Sequence, residues 1–434
     1  MKIALIIPGS GTRFYCENCA RDGTLARGLI SKGHDVTVCP LYLPLSDGLT
    51  KAASVPKSPL FFGAINLYFH QLFPALQRSP RWLESLLDSP PLLRIVSSMS
   101  GSTNAPGLGE TTVSMLQGEK GSQESALRRL VDWLGSKKPE LVHLSNGLLV
   151  GIAGEIKRRL GAPVLCSLQD EDFWIDSLNE PFKSDVWKLM AERSADVDLF
   201  LPVSRFYAEE MMKRLGLNGA RIDVVPNGID VNGMHPHELP FNPPVIGYLS
   251  RISEEMGIRI IIDAFLLLKR KPRFNTLRLR ITGGSTAEDR TVQREIRKTL
   301  GKAGVQSDVE IISSFERLDR IDFLSSLTLL SVPVLKGEAQ GTFMLEAMAS
   351  GVPVVQPALG GFPEIIRATG GGITYQPNTA ESLAEALGNL LVDPERSKDL
   401  GEQGRQSVLA GYTVSHMVEN IENAYKRCLV GSKT

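Results

Sequence analysis

The chain has 434 residues, of which 42% are hydrophobic and 22% are charged. This length predicts two or three domains with sizeable cores, and the composition excludes a disordered or fibrous chain. The 48 basic and 48 acidic side chains cancel. A surface without net charge has no general attraction for nucleic acid or anionic lipid, so any anion site must be local.

The sequence indicates a cytoplasmic protein without a transmembrane segment. No apolar stretch approaches the roughly 20 residues that span a bilayer. Residues 1–7 lack the charged flank and the cleavage site of a signal peptide. The five cysteines are sparse and odd in number, which argues against a disulfide framework. Cys16 and Cys19 form a C-x-x-C without a second pair, so two reduced thiols are favoured over a metal or redox site.

The first half of the chain alternates apolar strands with helices. Residues 2–7 form a short apolar run that ends in a glycine-rich loop, Pro8 to Gly11. A helix over 25–31 and a strand over 35–39 follow. The alternation then continues with strands over 141–144, 163–168 and 199–203 and helices over 148–160 and 186–195. Such repetition predicts a parallel sheet.

A long stretch of mixed character, residues 41–138, interrupts this alternation. It contains an aromatic run around Tyr68 and a polar span rich in glycine and serine over 97–121, which we expect to loop out. Long irregular segments inside an α/β unit usually have a functional role, and a disordered insertion is the alternative. We interpret the stretch as a functional elaboration of the first α/β unit.

A second α/β unit is predicted to begin near Arg221, with a strand over 222–225 and a hinge-like proline-rich stretch over 236–244. Strands over 245–249, 277–282, 309–312 and 329–333 and helices over 259–270 and 292–300 follow. Two doubly wound sheets predict two Rossmann-like domains, 1–220 and 221–412, facing a cleft. The last helix, 414–428, lies too far downstream to belong obviously to either sheet.

Two carboxylates flank a predicted helix start in the second half. Glu338 lies in a loop before Gly341, and Glu346 falls in the second or third turn of a helix over 342–349. Carboxylates on either side of an anion site can accept hydrogen bonds from sugar hydroxyls. The alternative is that both are surface charges. A buried strand over 351–355 directly after the helix favours a ligand site at a strand end.

The start of that helix is itself a candidate anion site. A helix N-terminus offers unpaired N–H groups and the positive end of the helix dipole. The amides of Gly341, Thr342 and Phe343 are therefore expected to hold a phosphate.

The motifs around these residues resemble those of the retaining GT-B glycosyltransferases of family 4, the group 1 type. Glu338 and Glu346 match the family's E-x7-E, residues 347–354 match the rest of its E-A-M-A-x-G-x-P-V, and Gly360-Gly361 with Glu364 match its G-G-x-x-E. Further matches in order and spacing are G-H-D-V over 33–36, P-N-G-I-D over 226–230 and the arginine at 251. The resemblance covers nearly the whole chain and is strongest after Val203.

The resemblance implies a GT-B fold and transfer of a sugar from a nucleotide-diphosphate sugar with retention at the anomeric carbon. It implies that Glu346 binds the donor ribose, that Glu338 binds the transferred sugar and that Arg251 binds the diphosphate. Backbone amides of the loop around Gly11 are expected to approach the same phosphates. His143 is grouped with Glu338 and Arg251 as catalytic. In this family the terminal helix, here 413–434, packs back on the first domain.

The chain departs from the family pattern at two positions. Many relatives carry an H-x-H motif at the end of the strand over 141–144, and the corresponding residues of this chain are His143-Leu144-Ser145. In the family a lysine lies beside the arginine at the diphosphate, and the corresponding residue of this chain is Met256. Glu171 and Asp172, after the strand 163–168, are assigned with Tyr68 to the acceptor side. The alternative for Glu171 and Asp172 is a solvated acidic loop.

The function expected is that of a metal-independent glycosyltransferase of the hexosyltransferase type. No metal and no cofactor besides the nucleotide-sugar co-substrate is expected, and the acceptor is a glycan, a lipid or a small molecule. Nucleic acid is not expected as a partner, whereas peripheral membrane contact is compatible with the sequence. Two alternatives remain open: a non-catalytic or impaired sugar-nucleotide-binding protein, and a nonhydrolysing sugar-nucleotide epimerase.

Overall fold

The computed structural model describes residues 1–9, 17–42, 105–286 and 289–431. These residues form two compact units. Apart from Glu17, which is grouped with the second unit, the first unit takes in the described residues up to Val225 and those from Met417 onward. The second unit runs from Pro226 to His416. The domain boundary predicted after residue 220 therefore lies after Val225.

The first unit contains a parallel sheet whose described strands run in the order β2-β1-β3-β4-β5. Its strands are mostly apolar and mostly buried, as expected when helices cover both faces. The strands are β1 (Lys2–Ile7), β2 (Asp35–Pro40), β3 (Leu141–Leu144), β4 (Val164–Leu168) and β5 (Leu199–Pro202).

Helices connect these strands in the alternation that the sequence predicts. They are α1 (Glu17–Ser31), α2 (Gly109–Gln117), α3 (Glu124–Lys137), α4 (Ala153–Leu160), α5 (Glu171–Ile175), α6 (Phe182–Arg193) and α7 (Arg205–Leu215).

The prediction that residues 97–121 loop out is wrong for the part that the structure describes. Helix α2 lies there, and its Met115 and Leu116 are buried. A side chain on Gly109 would place its Cβ 2.4 Å from the ring of Phe182, so the glycine permits close packing of α2 on α6. The small residues that suggested a loop instead allow neighbouring elements to pack closely.

The predicted strand over 222–225 does not open the second unit. The amide of Asp223 donates to the carbonyl of Phe200 (2.9 Å), and that of Val225 donates to the carbonyl of Pro202 (2.9 Å). The segment thus runs along β5 and belongs to the first unit.

The second unit contains a parallel sheet in the order β11-β10-β9-β6-β7-β8. Its strands are β6 (Val245–Leu249), β7 (Arg278–Thr282), β8 (Val309–Ile311), β9 (Leu329–Leu330), β10 (Val354–Pro357) and β11 (Gly372–Tyr375). Its helices are α8 (Ile258–Lys269), α9 (Arg290–Ala303), α10 (Arg317–Leu324), α11 (Thr342–Ala349), α12 (Phe362–Thr369), α13 (Ala380–Leu391) and α14 (Pro394–Gly411).

The proline-rich stretch 236–244 lies inside the second unit and is not a hinge between units. Leu239 is buried in the core of the second unit, and the carbonyl of Pro240 accepts a hydrogen bond from the hydroxyl of Thr328. The prolines therefore shape a surface loop next to β6.

The last helix, α15 (Val414–Gly431), is grouped from Met417 onward with the first unit. Ile421 and Tyr425 are fully buried there. The carboxylate of Glu422 lies 2.5 Å from Nε2 of His34, which adds a polar contact between this helix and the chain before β2. Among the described residues, no helix combines the length and the hydropathy needed to cross a membrane.

Candidate functional site

The E-x7-E segment of the second unit surrounds the start of helix α11. All eight residues of α11 are buried, and Glu346 is only 5% exposed. Gly341 precedes the helix with a φ of 82°, a left-handed conformation that favours glycine. A buried carboxylate in the middle of an apolar helix is costly unless it has a partner, so Glu346 is distinct from an ordinary surface charge.

Arg320 of α10 is the partner of Glu346. Its Nε donates to Oε2 of Glu346 (3.1 Å) and its Nη2 donates to Oε1 (2.8 Å). The side chains are 13% and 7% exposed, respectively. The guanidinium is held in turn by the carbonyl of Phe315, which accepts from Nη1 at 2.9 Å.

The loop of Glu338 is locked by the two glycines of the G-G-x-x-E motif. The amide of Gly361 donates to the carbonyl of Glu338 (2.8 Å). A Cβ on Gly360 would lie 2.4 Å from the carbonyl oxygen of Glu338 and 2.7 Å from its amide nitrogen. The glycines thus allow one backbone to lie directly on another, and they fix the position of half-buried Glu338.

Arg251 follows β6 and forms a bidentate ion pair with Asp289. Nε donates to Oδ2 (3.0 Å) and Nη2 donates to Oδ1 (2.9 Å). The amide and hydroxyl of Thr286 also donate to Oδ2 of Asp289, at 2.6 and 2.8 Å. Arg251, expected at the diphosphate, is therefore oriented by a carboxylate that is itself held in place.

Tyr248 links Arg251 to the rest of this site. Its hydroxyl donates to the carbonyl of Arg251 (2.8 Å) and lies 3.2 Å from that of Met256. Burial raises the pKa of Tyr248 well above its usual value, and the nearby charges of Glu338 and Asp289 raise it further. The structure thus brings the loops of Arg251 and Glu338 into one neighbourhood of the second unit.

The side chains at the start of α11 belong to the core. Phe343 is fully buried and contacts Phe362 edge-to-face, with 5.9 Å between ring centroids. A Cβ on Gly341 would lie 2.7 Å from the ring of Phe362. If Gly341 and Phe343 bind a phosphate, as predicted, they do so through the backbone.

His143 lies in a buried polar cluster of the first unit. Its Nδ1 is 2.7 Å from the hydroxyl of Tyr425, and its Nε2 is 2.8 Å from Oγ of Ser167. Ser167 also accepts from Nη2 of Arg21 (2.5 Å). Burial, and secondarily the charge of Arg21, lower the pKa of His143 well below its usual value. Both ring nitrogens of His143 have protein partners.

Asp22 completes this cluster. Its Oδ1 accepts from Nη1 of Arg21 at 3.1 Å, and its side chain is 6% exposed. Burial raises the pKa of Asp22 from 3.8 to about 6, although Arg21 opposes the shift. Tyr425 ties the C-terminal helix to this group.

The acidic segment after β4 has two different environments. Glu171 is buried, and its carboxylate accepts from the amides of Gly147 (2.7 Å) and Gln169 (2.8 Å). The hydroxyl of Tyr207 lies 2.7 Å from Oε2 of Glu171 and 2.9 Å from Oδ1 of Asp172. Burial raises the pKa values of both carboxyl groups. Glu171 therefore joins the loops after β3 and β4, while half-buried Asp172 is the more accessible of the two.

Three predicted features fall outside the described residues. These are Gly11, Tyr68 and the side chains of the C-x-x-C pair, Cys16 and Cys19. Among the residues that the structure describes, no three histidine, cysteine, aspartate or glutamate side chains are grouped so that they can hold a metal ion.

Sequence reasoning missed Arg320 and Asp289. Asp289 occupies the N-cap position of α9, where an aspartate usually caps the helix, but its side chain accepts from Thr286 and Arg251 instead. Arg320 lies 26 residues before its partner and matches no spacing rule. Asp289 gave a local signal as an aspartate at a helix start, whereas Arg320 gave none.

Two family models match the chain, one in each half. The model described as Glycosyltransferase Family 4 matches residues 116–232, and the model described as Glycosyl transferases group 1 matches residues 234–407. The second match contains the Arg251, Glu338 and Glu346 segments described above.

Solved structures share the fold. Sucrose-phosphate synthase from Thermosynechococcus elongatus superposes with a TM-score of 0.71 at 17% identity and covers 99% of both chains. The Anabaena protein HepE in complex with UDP gives 0.71 at 15% identity, over 98% of this chain and 100% of HepE. The two parallel sheets, each with its helices, and these likenesses define the α/β class of GT-B proteins. Within that class, the chain belongs to the glycosyltransferases of the group 1 type.

Curated relatives match at lower coverage. D-inositol 3-phosphate glycosyltransferase of Nocardia farcinica is 25% identical over 244 residues, which is 54% of this chain and 54% of the relative. Alpha-maltose-1-phosphate synthase of Mycolicibacterium smegmatis is 25% identical over 315 residues, which is 66% of this chain and 79% of the relative. The match thus spans only about half the length of the first of these relatives.

Proposed function

We propose that this chain is a retaining glycosyltransferase that moves a sugar from a nucleotide-diphosphate sugar to a hydroxyl of a glycan, lipid or small-molecule acceptor. The observation that supports this most strongly is the buried carboxylate of Glu346, held in a fixed orientation in the helix that begins after Gly341. Glu338 lies in a loop that Gly360 and Gly361 lock in place. Membership of the group 1 family agrees with a nucleotide donor, as does the HepE structure, which is a complex with UDP.

In the proposed reaction, Glu346 accepts hydrogen bonds from the donor ribose and Glu338 from the transferred sugar. The acceptor oxygen forms a bond to the anomeric carbon as the bond to the leaving diphosphate breaks, and the acceptor proton passes to the leaving phosphate. This scheme requires neither a protein nucleophile nor a metal. Backbone amides at the start of α11, with Arg251, stabilise the charge that develops on the diphosphate.

A second candidate is a sugar-nucleotide-binding protein without transfer activity. Two features favour it: Met256 stands where the family resemblance implies a lysine, and the charge of Arg251 is offset by Asp289. The epimerase alternative requires acid and base groups around the sugar. It is less favoured because His143 is buried with both nitrogens engaged.

Two measurements separate these candidates. A thermal-shift screen with UDP, ADP, GDP and their sugar conjugates detects donor binding, because a ligand at 100 times its Kd stabilises the folded state by about 2.7 kcal/mol. Release of nucleoside diphosphate from the bound conjugate, with and without acceptors, then reports turnover. Binding without any release supports the second candidate, and the absence of all nucleotide binding contradicts both.

A further inference from the structure

Arg320 and Glu346 form a bidentate ion pair, in which the guanidinium acts as a fork. Two N–H groups of one guanidinium donate to the two oxygens of one carboxylate. A bidentate pair of this kind fixes the rotation of the carboxylate as well as its position. The third contact of Arg320, from Nη1 to the carbonyl of Phe315, fixes the arginine in turn.

Stability alone does not account for this pair. A buried ion pair is often no more stabilising than well-packed apolar side chains of the same size. Every other residue of α11 is buried and all but Thr342 are apolar, so an apolar residue at position 346 would suit the packing. A pair retained in such a place is better explained by the hydrogen bonds that the carboxylate can still accept.

The fork leaves acceptor capacity on Glu346. An ionised carboxylate has about four lone-pair sites, and the two bonds from Arg320 occupy one on each oxygen. The remaining site on each oxygen has a fixed direction. Because the fork occupies the face on which both oxygens converge, the two remaining sites point away from each other. A single hydroxyl, such as the 2′ hydroxyl of a ribose, can donate to one of them.

We propose that Arg320 is a positioning residue that orients Glu346 to select a ribonucleotide over a 2′-deoxyribonucleotide donor. This inference rests on the proposed function, because it assumes that Glu346 binds the ribose. Arg320 itself does not contact the nucleotide in this account. Its effect is on ligand selectivity, which a purely structural ion pair would not change.

The test compares the dissociation constants of three ligand pairs, in which UDP, ADP and GDP are each measured against the 2′-deoxy form. Wild type is compared with Arg320→Lys, which keeps the charge and loses the fork, and with Arg320→Gln. The matched control is Arg317→Lys, because Arg317 lies on the same helix and pairs with Asp230 (3.2 Å). The ratio of two dissociation constants measured on one variant does not depend on the fraction folded, so partial destabilisation does not obscure the result.

For the base that wild type binds best, we expect a preference for the ribose form of about tenfold or more, as for a hydrogen bond to a charged group. We expect that preference to fall to about twofold or less in both Arg320 variants and to persist in Arg317→Lys. Equal preferences in wild type and Arg320→Lys, or no preference in wild type, would overturn the inference while leaving the proposed function intact. If wild type binds none of the three diphosphates, the proposed function fails and the inference fails with it.

Discussion

Arg251 and Asp289 form a bidentate ion pair, with 3.0 Å between Nε and Oδ2 and 2.9 Å between Nη2 and Oδ1. Asp289 is 5% exposed at its side chain and also accepts two hydrogen bonds from Thr286. One carboxylate therefore organises both the arginine that follows β6 and the chain before α9.

The first prediction is that Asp289→Asn destabilises the protein by about 1–3 kcal/mol, the cost of leaving buried hydrogen-bonding groups unsatisfied. An asparagine keeps the shape but accepts at one atom only, so its amide nitrogen faces donors of Arg251 or Thr286. The control is Glu310→Gln, which alters an exposed pair with Arg280 and should cost about 0.5 kcal/mol or less. Urea denaturation of both variants measures the difference, and equal losses would contradict the account.

The second prediction concerns Gly360, which has a φ of 58° and lies against the backbone of Glu338. Gly360→Ala should lower the free energy of unfolding by more than about 2 kcal/mol and abolish donor turnover, because the added Cβ displaces the loop of Glu338. Gly304→Ala is the control, since Gly304 has a φ of 70° and open space around its Cβ. It should cost only the backbone strain, about 1 kcal/mol. Normal turnover in Gly360→Ala would show that the loop does not position Glu338.

The third prediction concerns Met256, which is half-buried and whose carbonyl faces the hydroxyl of Tyr248. Met256→Lys should tighten nucleoside-diphosphate binding by one to two decades, since hydrogen bonds to charged groups contribute about 1.5–3 kcal/mol. The gain should shrink at high salt and be absent from Met256→Leu. If Met256→Lys binds like wild type, another cation holds the diphosphate. Arg205, which is exposed at the start of α7, is one candidate, and Arg13, outside the described residues, is another.

The fourth prediction is a change in the pH dependence of stability when Asp22 is replaced. Burial raises the pKa of Asp22 to about 6. The contribution of Asp22 to the free energy of unfolding is therefore full below the ordinary aspartate pKa and is lost as pH rises through 6. Burial lowers the pKa of His143. The contribution of His143 to the free energy of unfolding is therefore present above about pH 6.5 and is lost as pH falls. The two effects oppose each other between about pH 4 and 6.

Asp22→Asn removes the pH-dependent contribution of Asp22 to stability and leaves that of His143. Its free energy of unfolding should rise from pH 4.5 to 6.5 more steeply than that of wild type, by about 1 kcal/mol per pH unit. Asp132→Asn, at an exposed aspartate of the same unit, should leave the slope unchanged. Parallel curves for wild type and Asp22→Asn would show that Asp22 does not hold a proton in the folded state.

The strands were predictable because most are short, continuous runs of apolar residues, of which β1 and β3 are clear cases. Helix α2 was not, because the glycines and serines that suggest a loop serve close packing in the folded protein. Position along the chain was also a poor guide for residues 222–225, where hydrogen bonds to β5 assign the segment to the first unit.

The candidate site shows the same limit. Glu338 and Glu346 are visible in the sequence because they lie on one segment with a recognisable spacing. Their supporting residues come from elsewhere in the chain, and a pairing across 26 residues, as for Arg320, leaves no local pattern. A sequence therefore reveals the groups expected to touch a ligand more readily than the groups that orient them.

The most direct test of the central claim is isothermal titration of wild type, Glu346→Gln and Glu338→Gln with UDP and UDP-glucose, or with the corresponding pair for the base that the thermal-shift screen selects. We predict that Glu346→Gln weakens binding of both ligands by about tenfold or more, since it removes a charged acceptor from the ribose. Glu338→Gln should bind the diphosphate within about twofold of wild type and lose affinity only for the sugar conjugate. If both variants bind both ligands as wild type does, the donor site does not lie between Glu338 and Glu346.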